Sequence, residues 1–209
     1  MLAIAGGKGG CGKTTTALGL ARGFAALGAH PLVVDADLDM PDLHHRAGVD
    51  RTPGLAAASE RYRPADVAQR AARFPGIEVL PAGDADGSTA GSVVDRLHRS
   101  PSPVLLDCPA GAGPDAAVPL RAADRSVIVS TPAEQSLRDA AKSAAMARQL
   151  QAPPAAVVLV RSDGRVDPTP LLDCSRVVHI PELSKPPLET EESASRYLSC
   201  AKTLSKRNV

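Results

Sequence analysis

Of seven short candidate strands in this chain, Leu2–Ala5, Pro31–Asp35, Ile77–Leu80, Val104–Asp107, Ser126–Ser130, Ala156–Val160 and Arg176–Ile180, most are aliphatic at successive positions rather than at every second one. A strand with one wet face alternates apolar and polar side chains, so unbroken runs predict strands covered on both faces. Ala-rich stretches of helical length lie between them, among them Thr14–Leu27 (closed by Gly28), Pro64–Arg73 and Ala133–Leu150. Strand and helix in alternation predict an α/β fold: a doubly wound, mainly parallel sheet of about seven strands flanked by helices, forming one domain over residues 1–209. With two Phe, two Tyr and no Trp, its core has to be assembled from Val, Leu, Ile and Ala. Three Pro/Gly-rich segments, Pro81–Gly91, Pro109–Pro114 and Pro181–Pro187, each follow a strand and are expected at the carboxyl edge of the sheet, where such folds bind ligands.

Several function classes drop out on composition. No apolar run approaches the roughly 18 residues of a membrane span. Twenty-four basic against 23 acidic side chains leave a net charge of +1, so a nucleic-acid partner is not expected. Arg61, Arg63, Arg70 and Arg73 read as a solvated helix surface. Cysteines 11, 108, 174 and 200 include no C-x-x-C pair, which argues against a zinc or iron-sulfur scaffold and for free thiols. The opening Leu2-Ala3-Ile4-Ala5-Gly6 resembles no secretory leader, and a cytoplasmic location is expected.

The chemistry concentrates in Gly7-Lys8-Gly9-Gly10-Cys11-Gly12-Lys13-Thr14, which fits G-x-x-x-x-G-K-[ST] residue for residue. It lies between the first aliphatic run and an Ala/Leu helix, the context the pattern requires. Glycines let successive backbone N–H groups converge on phosphate oxygens, and the helix that follows adds partial positive charge. Lys13 is placed to neutralise the β- and γ-phosphates, and Thr14 to coordinate Mg²⁺. The chain has 18 arginines and only six lysines, yet two of the six fall in this loop.

The longer stretch Lys8-Gly9-Gly10-Cys11-Gly12-Lys13-Thr14-Thr15 resembles the deviant Walker A motif, K-G-G-x-G-K-[ST], of the MinD/ParA family of P-loop ATPases, and of its MinD-like branch in particular. Asp35 and Asp37 in Val33-Val34-Asp35-Ala36-Asp37 are similar to the family's switch I, and Asp107-Cys108-Pro109-Ala110-Gly111 to its switch II. Thr131–Ala140 and Ile180-Pro181-Glu182 extend the likeness along the chain. The resemblance implies ATP and Mg²⁺ as ligands, with Gly7 to Thr15 and Gly111 around the nucleotide. Thr14, Asp35 and Asp107 would lie at the metal, partly through water, and Asp37 would position the attacking water. Lys8 and Lys13 would be catalytic, Lys8 by reaching the nucleotide of the partner in an ATP-bound homodimer. The function implied is a slow ATPase that acts as a positioning or regulatory switch on a further protein partner.

The pattern also breaks. Relatives read adenine with an asparagine at the end of the strand that here finishes Val160-Arg161, but the only asparagine is Asn208. Either backbone groups hold the base or base selectivity between adenine and guanine is relaxed, with Asp163 placed to accept from a guanine edge and GTP second to ATP. Asp42 stands in switch I where asparagine is typical, and His44 and His45 beside it read as a solvated loop rather than a metal site. Residues 195–207 are expected to form a helix that docks on the domain by Tyr197, Leu198, Ala201 and Leu204, with at most weak contact to a membrane surface. Two other functions share these features: a metabolic enzyme of the dethiobiotin-synthetase or cobyrinate-amidase type, and a nucleotide-binding scaffold without turnover.

Overall fold

The structure is a computed structural model that describes residues 1–7, 9–58, 62–182 and 186–205. Its strands are β1 (Leu2–Ala5), β2 (Leu32–Asp35), β3 (Gln69–Arg70), β4 (Glu78–Leu80), β5 (Val104–Asp107), β6 (Arg125–Ser130), β7 (Pro154–Val160) and β8 (Val177–Ile180). They form one sheet in the order β3-β4-β2-β5-β1-β6-β7-β8. Every neighbouring pair is parallel except β3 with β4. The seven candidate strands are the seven long members of this sheet, with ends displaced by at most two residues.

The helices are α1 (Lys13–Ala26), α2 (Leu43–Ala47), α3 (Pro64–Val67), α4 (Gly87–Arg96), α5 (Pro114–Ala122), α6 (Glu134–Gln149), α7 (Thr169–Leu172) and α8 (Glu191–Ser205). One face of the sheet buries Leu18, Leu20 and Phe24 of α1, Leu43 of α2 and Tyr197 of α8. The other buries Val93 of α4, Leu120 of α5, Ala140 and Ala144 of α6, and Leu172 of α7. Val33, Leu105 and Val127 point to the first layer, and Val34, Leu106 and Ile128 to the second. That division explains the unbroken aliphatic runs, since alternate residues of one strand enter different cores.

The helix expected over Pro64–Arg73 is corrected: it ends at Val67, and Gln69–Arg70 form the antiparallel edge strand. Tertiary hydrogen bonds override the helical pattern. The Gln69 amide donates to the carbonyls of Asp50 and Pro53 at 2.9 and 2.8 Å and accepts the Asp50 N–H at 3.1 Å. Arg61 of the basic cluster lies outside the described residues.

The carboxyl-terminal helix starts at Glu191, four residues before its expected start, and is described to Ser205. It packs along α1, where Gly19 and Gly23 make room for it. A Cβ on Gly19 would stand 2.5 Å from the Tyr197 ring, and one on Gly23 would stand 2.8 Å from the Tyr197 carbonyl. Tyr197, Cys200, Ala201 and Leu204 are all buried in this seam, so the apolar face that a lipid surface would need is already inside the protein. Among the described residues no helix is long and apolar enough to cross a membrane.

Candidate functional site

Strand β1 leads into the glycine loop at the carboxyl edge of the sheet, and α1 leaves it. The loop has almost no freedom to carry side chains on its inner surface. A Cβ on Gly6 would lie 2.5 Å from the Val129 carbonyl, and one on Gly7 would lie 2.1 Å from the Asp139 backbone on α6. Gly10 and Gly12 have φ of +73° and +94°, a region that L side chains seldom adopt. Cys11 turns inward, its thiol directed to the Val129 carbonyl at 3.6 Å, so it contributes backbone rather than reactivity. Gly9 and Gly10 are exposed, and Lys8 lies outside the described residues.

Lys13 and Thr14 open α1 beside two carboxylates. Asp35 ends β2, Asp107 ends β5, and the two are paired in register across those parallel strands. Both are buried, at 0% and 3% exposure. Burial raises the Asp35 carboxyl to about 8, helped by the neighbouring Asp107 charge and opposed by the backbone N–H groups of Asp37 and Leu43. Burial likewise raises Asp107 to about 7, with the Thr14 hydroxyl and the Lys13 ammonium pulling the other way. Asp35 accepts the N–H groups of Asp37 and Leu43, each at 3.3 Å, and so staples both ends of the switch I segment. Among the described residues the buried Oδ1 of Asp107 has no hydrogen-bond partner. An orphaned carboxylate oxygen beside a second buried carboxylate is expensive unless a cation or its bound water takes the vacant lone pairs. Thr14, Asp35 and Asp107 therefore fit a hard divalent ion.

Asp37 is partly buried and caps its own turn by accepting the Met40 N–H at 3.1 Å. Asp42 pairs with Arg46 one turn on in α2, so its extra negative charge is offset locally. The solvated loop expected for His44 and His45 is corrected: both lie in α2, where His45 is exposed but His44 is half-buried, its Nδ1 inaccessible and without a hydrogen-bond partner among the described residues. In the segment after β5, Gly111 has φ +87° and its N–H donates to the Gly6 carbonyl at 3.0 Å. That bond ties the segment after β5 to the end of β1. Ser143 on α6 donates to the Gly111 carbonyl at 3.3 Å.

Lys13, Thr14, Asp35, Asp37 and Asp107 are thus brought into one electrostatic neighbourhood. Thr15 faces a groove of about 390 Å³ with Arg22, Arg46 and Phe74, and Cys108 is a deeply buried thiol whose pKa burial pushes up. One contributor escaped the sequence reading and a second was named there without a role. Gly6 is required by Val129 across the sheet, and its only signal was the Gly6-Gly7 doublet. Arg161, after β7, has φ +53° and donates from its guanidinium to the Gly10 carbonyl at 3.3 Å. Its only signal was the missing asparagine.

Comparison with known proteins agrees with the fold. The profile of the CobQ/CobB/MinD/ParA nucleotide binding domain matches residues 2–199. An uncharacterized ATP-binding protein of Methanocaldococcus jannaschii is 32% identical over 157 residues, 71% of this chain and 59% of that protein. The septum site-determining protein MinD of Bacillus subtilis is 28% identical over 149 residues, 66% of this chain and 56% of that protein. The chain therefore spans less than two thirds of the length of these curated relatives. Among solved structures, MinD of Pyrococcus horikoshii complexed with Mg-ADP superposes with a TM-score of 0.81 at 23% identity, covering 98% of this chain and 95% of that one. The MinC:MinD complex of Aquifex aeolicus gives 0.83 at 21% identity, covering 100% and 96%. Matched over nearly its whole length and folded in the same way, the chain belongs to the CobQ/CobB/MinD/ParA family of P-loop nucleotide-binding domains.

Proposed function

We propose that this protein binds Mg·ATP in the glycine loop, dimerises with it, and hydrolyses it slowly as a timed switch on another assembly. The observation that carries the reading is the convergence of Lys13 and Thr14 on a buried carboxylate pair with one unpartnered oxygen. Mg²⁺, held by Thr14 and Asp107 with Asp35 beside them, would supply charge neutralisation at the β- and γ-phosphates. The loop amides and the Lys13 ammonium bind the same oxygens and stabilise charge that moves toward the leaving group. Asp37 orients a water for in-line attack rather than acting as a strong base, and no covalent intermediate forms. Lys8 is assigned to the nucleotide of the second subunit. A single ATPase domain over residues 1–209, cytoplasmic and working on a protein partner, completes the proposal.

Size-exclusion chromatography with light scattering tests it on wild type, Lys8→Ala and Asp37→Ala with no nucleotide, ADP or ATP. The expected result is a dimer of the wild type with ATP alone, a weakened dimer for Lys8→Ala and a persistent one for Asp37→Ala. A monomer under every condition overturns the switch.

A further inference from the structure

Among the described residues three non-glycine residues have positive φ: Gln151, Arg161 and Asp173. Gln151 and Asp173 each close a helix, α6 and α7, where the left-handed region is the usual way to stop. Arg161 leaves a strand, and no helix end accounts for it. A backbone outlier of this kind persists where its surroundings impose it, and such sites gather around ligands. Here the surroundings are specific. Ser162 is 2% exposed, its N–H donates to the Ile180 carbonyl at 3.0 Å, and its Oγ lies 2.9 Å from His179 Nδ1. The segment after β7 is pinned to the end of β8, which leaves Arg161 turned over the glycine loop and bonded to Gly10.

The sheet order fixes which part of a nucleotide would meet this guanidinium. The carboxylates lie on β5 and β2, on one side of β1, while β6, β7 and β8 lie on the other. A triphosphate whose terminal phosphate reaches Asp107 extends its nucleoside toward β7, whose end closes on the loop. A Cβ at Gly12 would be 3.4 Å from the Val160 methyl carbons. The segment after β7 brings to this rim Arg161, a donor only, and the exposed Asp163, an acceptor whose carboxylate pairs with Arg165 at 3.1 Å. From Arg161 to Thr169 no Asn or Gln offers donor and acceptor together. Guanine presents two acceptors, O6 and N7, to such a fork, whereas adenine sets its N6 amine, a donor, beside N7. Resting on the proposed nucleotide site, we infer that Arg161 sets base selectivity there and that the pocket admits GTP alongside ATP.

Isothermal calorimetry with AMP-PNP and GMP-PNP in Mg²⁺ tests this on wild type, Arg161→Ala and Arg161→Asn, with folding of each checked by circular dichroism. Asparagine tolerates the left-handed backbone and supplies both donor and acceptor, so at least one variant keeps the loop geometry. GMP-PNP is expected to bind wild type within about tenfold of AMP-PNP, and both substitutions should move that ratio toward adenine by about fivefold or more. A wild-type preference for AMP-PNP beyond about tenfold, or a ratio that neither substitution moves, overturns the role of Arg161. Failure of wild type to bind either analogue would instead remove the nucleotide site itself.

Discussion

At its amino end α1 faces Asp35 and Asp107, two carboxylates drawn out of water with one oxygen unpartnered. Along its middle it faces Tyr197, equally buried, with its ring against Gly19 and its hydroxyl 3.3 Å from Thr16 Oγ1. Both contacts belong to one helix and both exclude solvent, yet their energetics run in opposite directions. The carboxylate end buries two acids side by side with one oxygen unpartnered among the described residues, and that costs stability. The glycine seam is close-packed with its polar atom partnered, and it contributes stability whether or not a ligand is bound. A helix that must present its first turn to a mobile ligand is anchored by its other face, and α8 supplies the anchor.

The seam should therefore break hardest. Tyr197→Ala empties a fully buried site and is expected to cost roughly 3–5 kcal/mol in urea unfolding. Glycines 19 and 23, which face it, have no side chains of their own to refill the space. Loss of less than about 1 kcal/mol would mean that α8 is not an anchor.

The anchor and the loop were legible in the sequence to different degrees. The glycine loop, Lys13, Thr14 and the strand-end aspartates are local patterns whose chemistry depends on spacing along the chain, and the fold brings them together as spaced. The seven long strands were legible because burial on both faces leaves a composition no half-wet strand has. Edge strand β3 was not, because Gln69 bonds to Asp50 and Pro53, some 16 to 19 residues away. Nor was the steric need for Gly6, which is set by Val129 on another strand. The carboxyl-terminal helix was readable as amphipathic, but the glycines that receive it read only as helix residues until their neighbours were known.

The carboxylate end should respond to pH where the seam does not. For Asp35 and Asp107 the folded values, about 8 and about 7, lie above the ordinary 3.8. Between about pH 4 and 8 the folded protein thus holds more protons than the unfolded chain, and stability without metal falls as pH rises through that window. Asp107→Asn removes one ionising group and the repulsion it imposes on Asp35. In the presence of a chelator it should flatten the decline and leave the variant about 1–2 kcal/mol more stable than wild type near pH 8. Parallel curves for the two proteins from pH 5 to 8.5 would show that the pair is not under this strain.

Tyr197→Phe gives the smallest effect and separates the two parts of the seam. It keeps the ring against Gly19 and deletes only the hydroxyl that meets Thr16. Burial lifts the Tyr197 hydroxyl to about 12, with Thr16 opposing, so it stays protonated throughout the window in which the carboxylates titrate. Thr16 follows Gly12 by one helical turn, and its hydroxyl can turn back to the helix's own carbonyls when the tyrosine oxygen is gone. The expected cost is therefore about 0.5–1 kcal/mol, independent of pH between 5 and 8.5. A loss approaching that of Tyr197→Ala would place the strength of the anchor in the hydrogen bond, and the ring's fit against the two glycines would then be secondary.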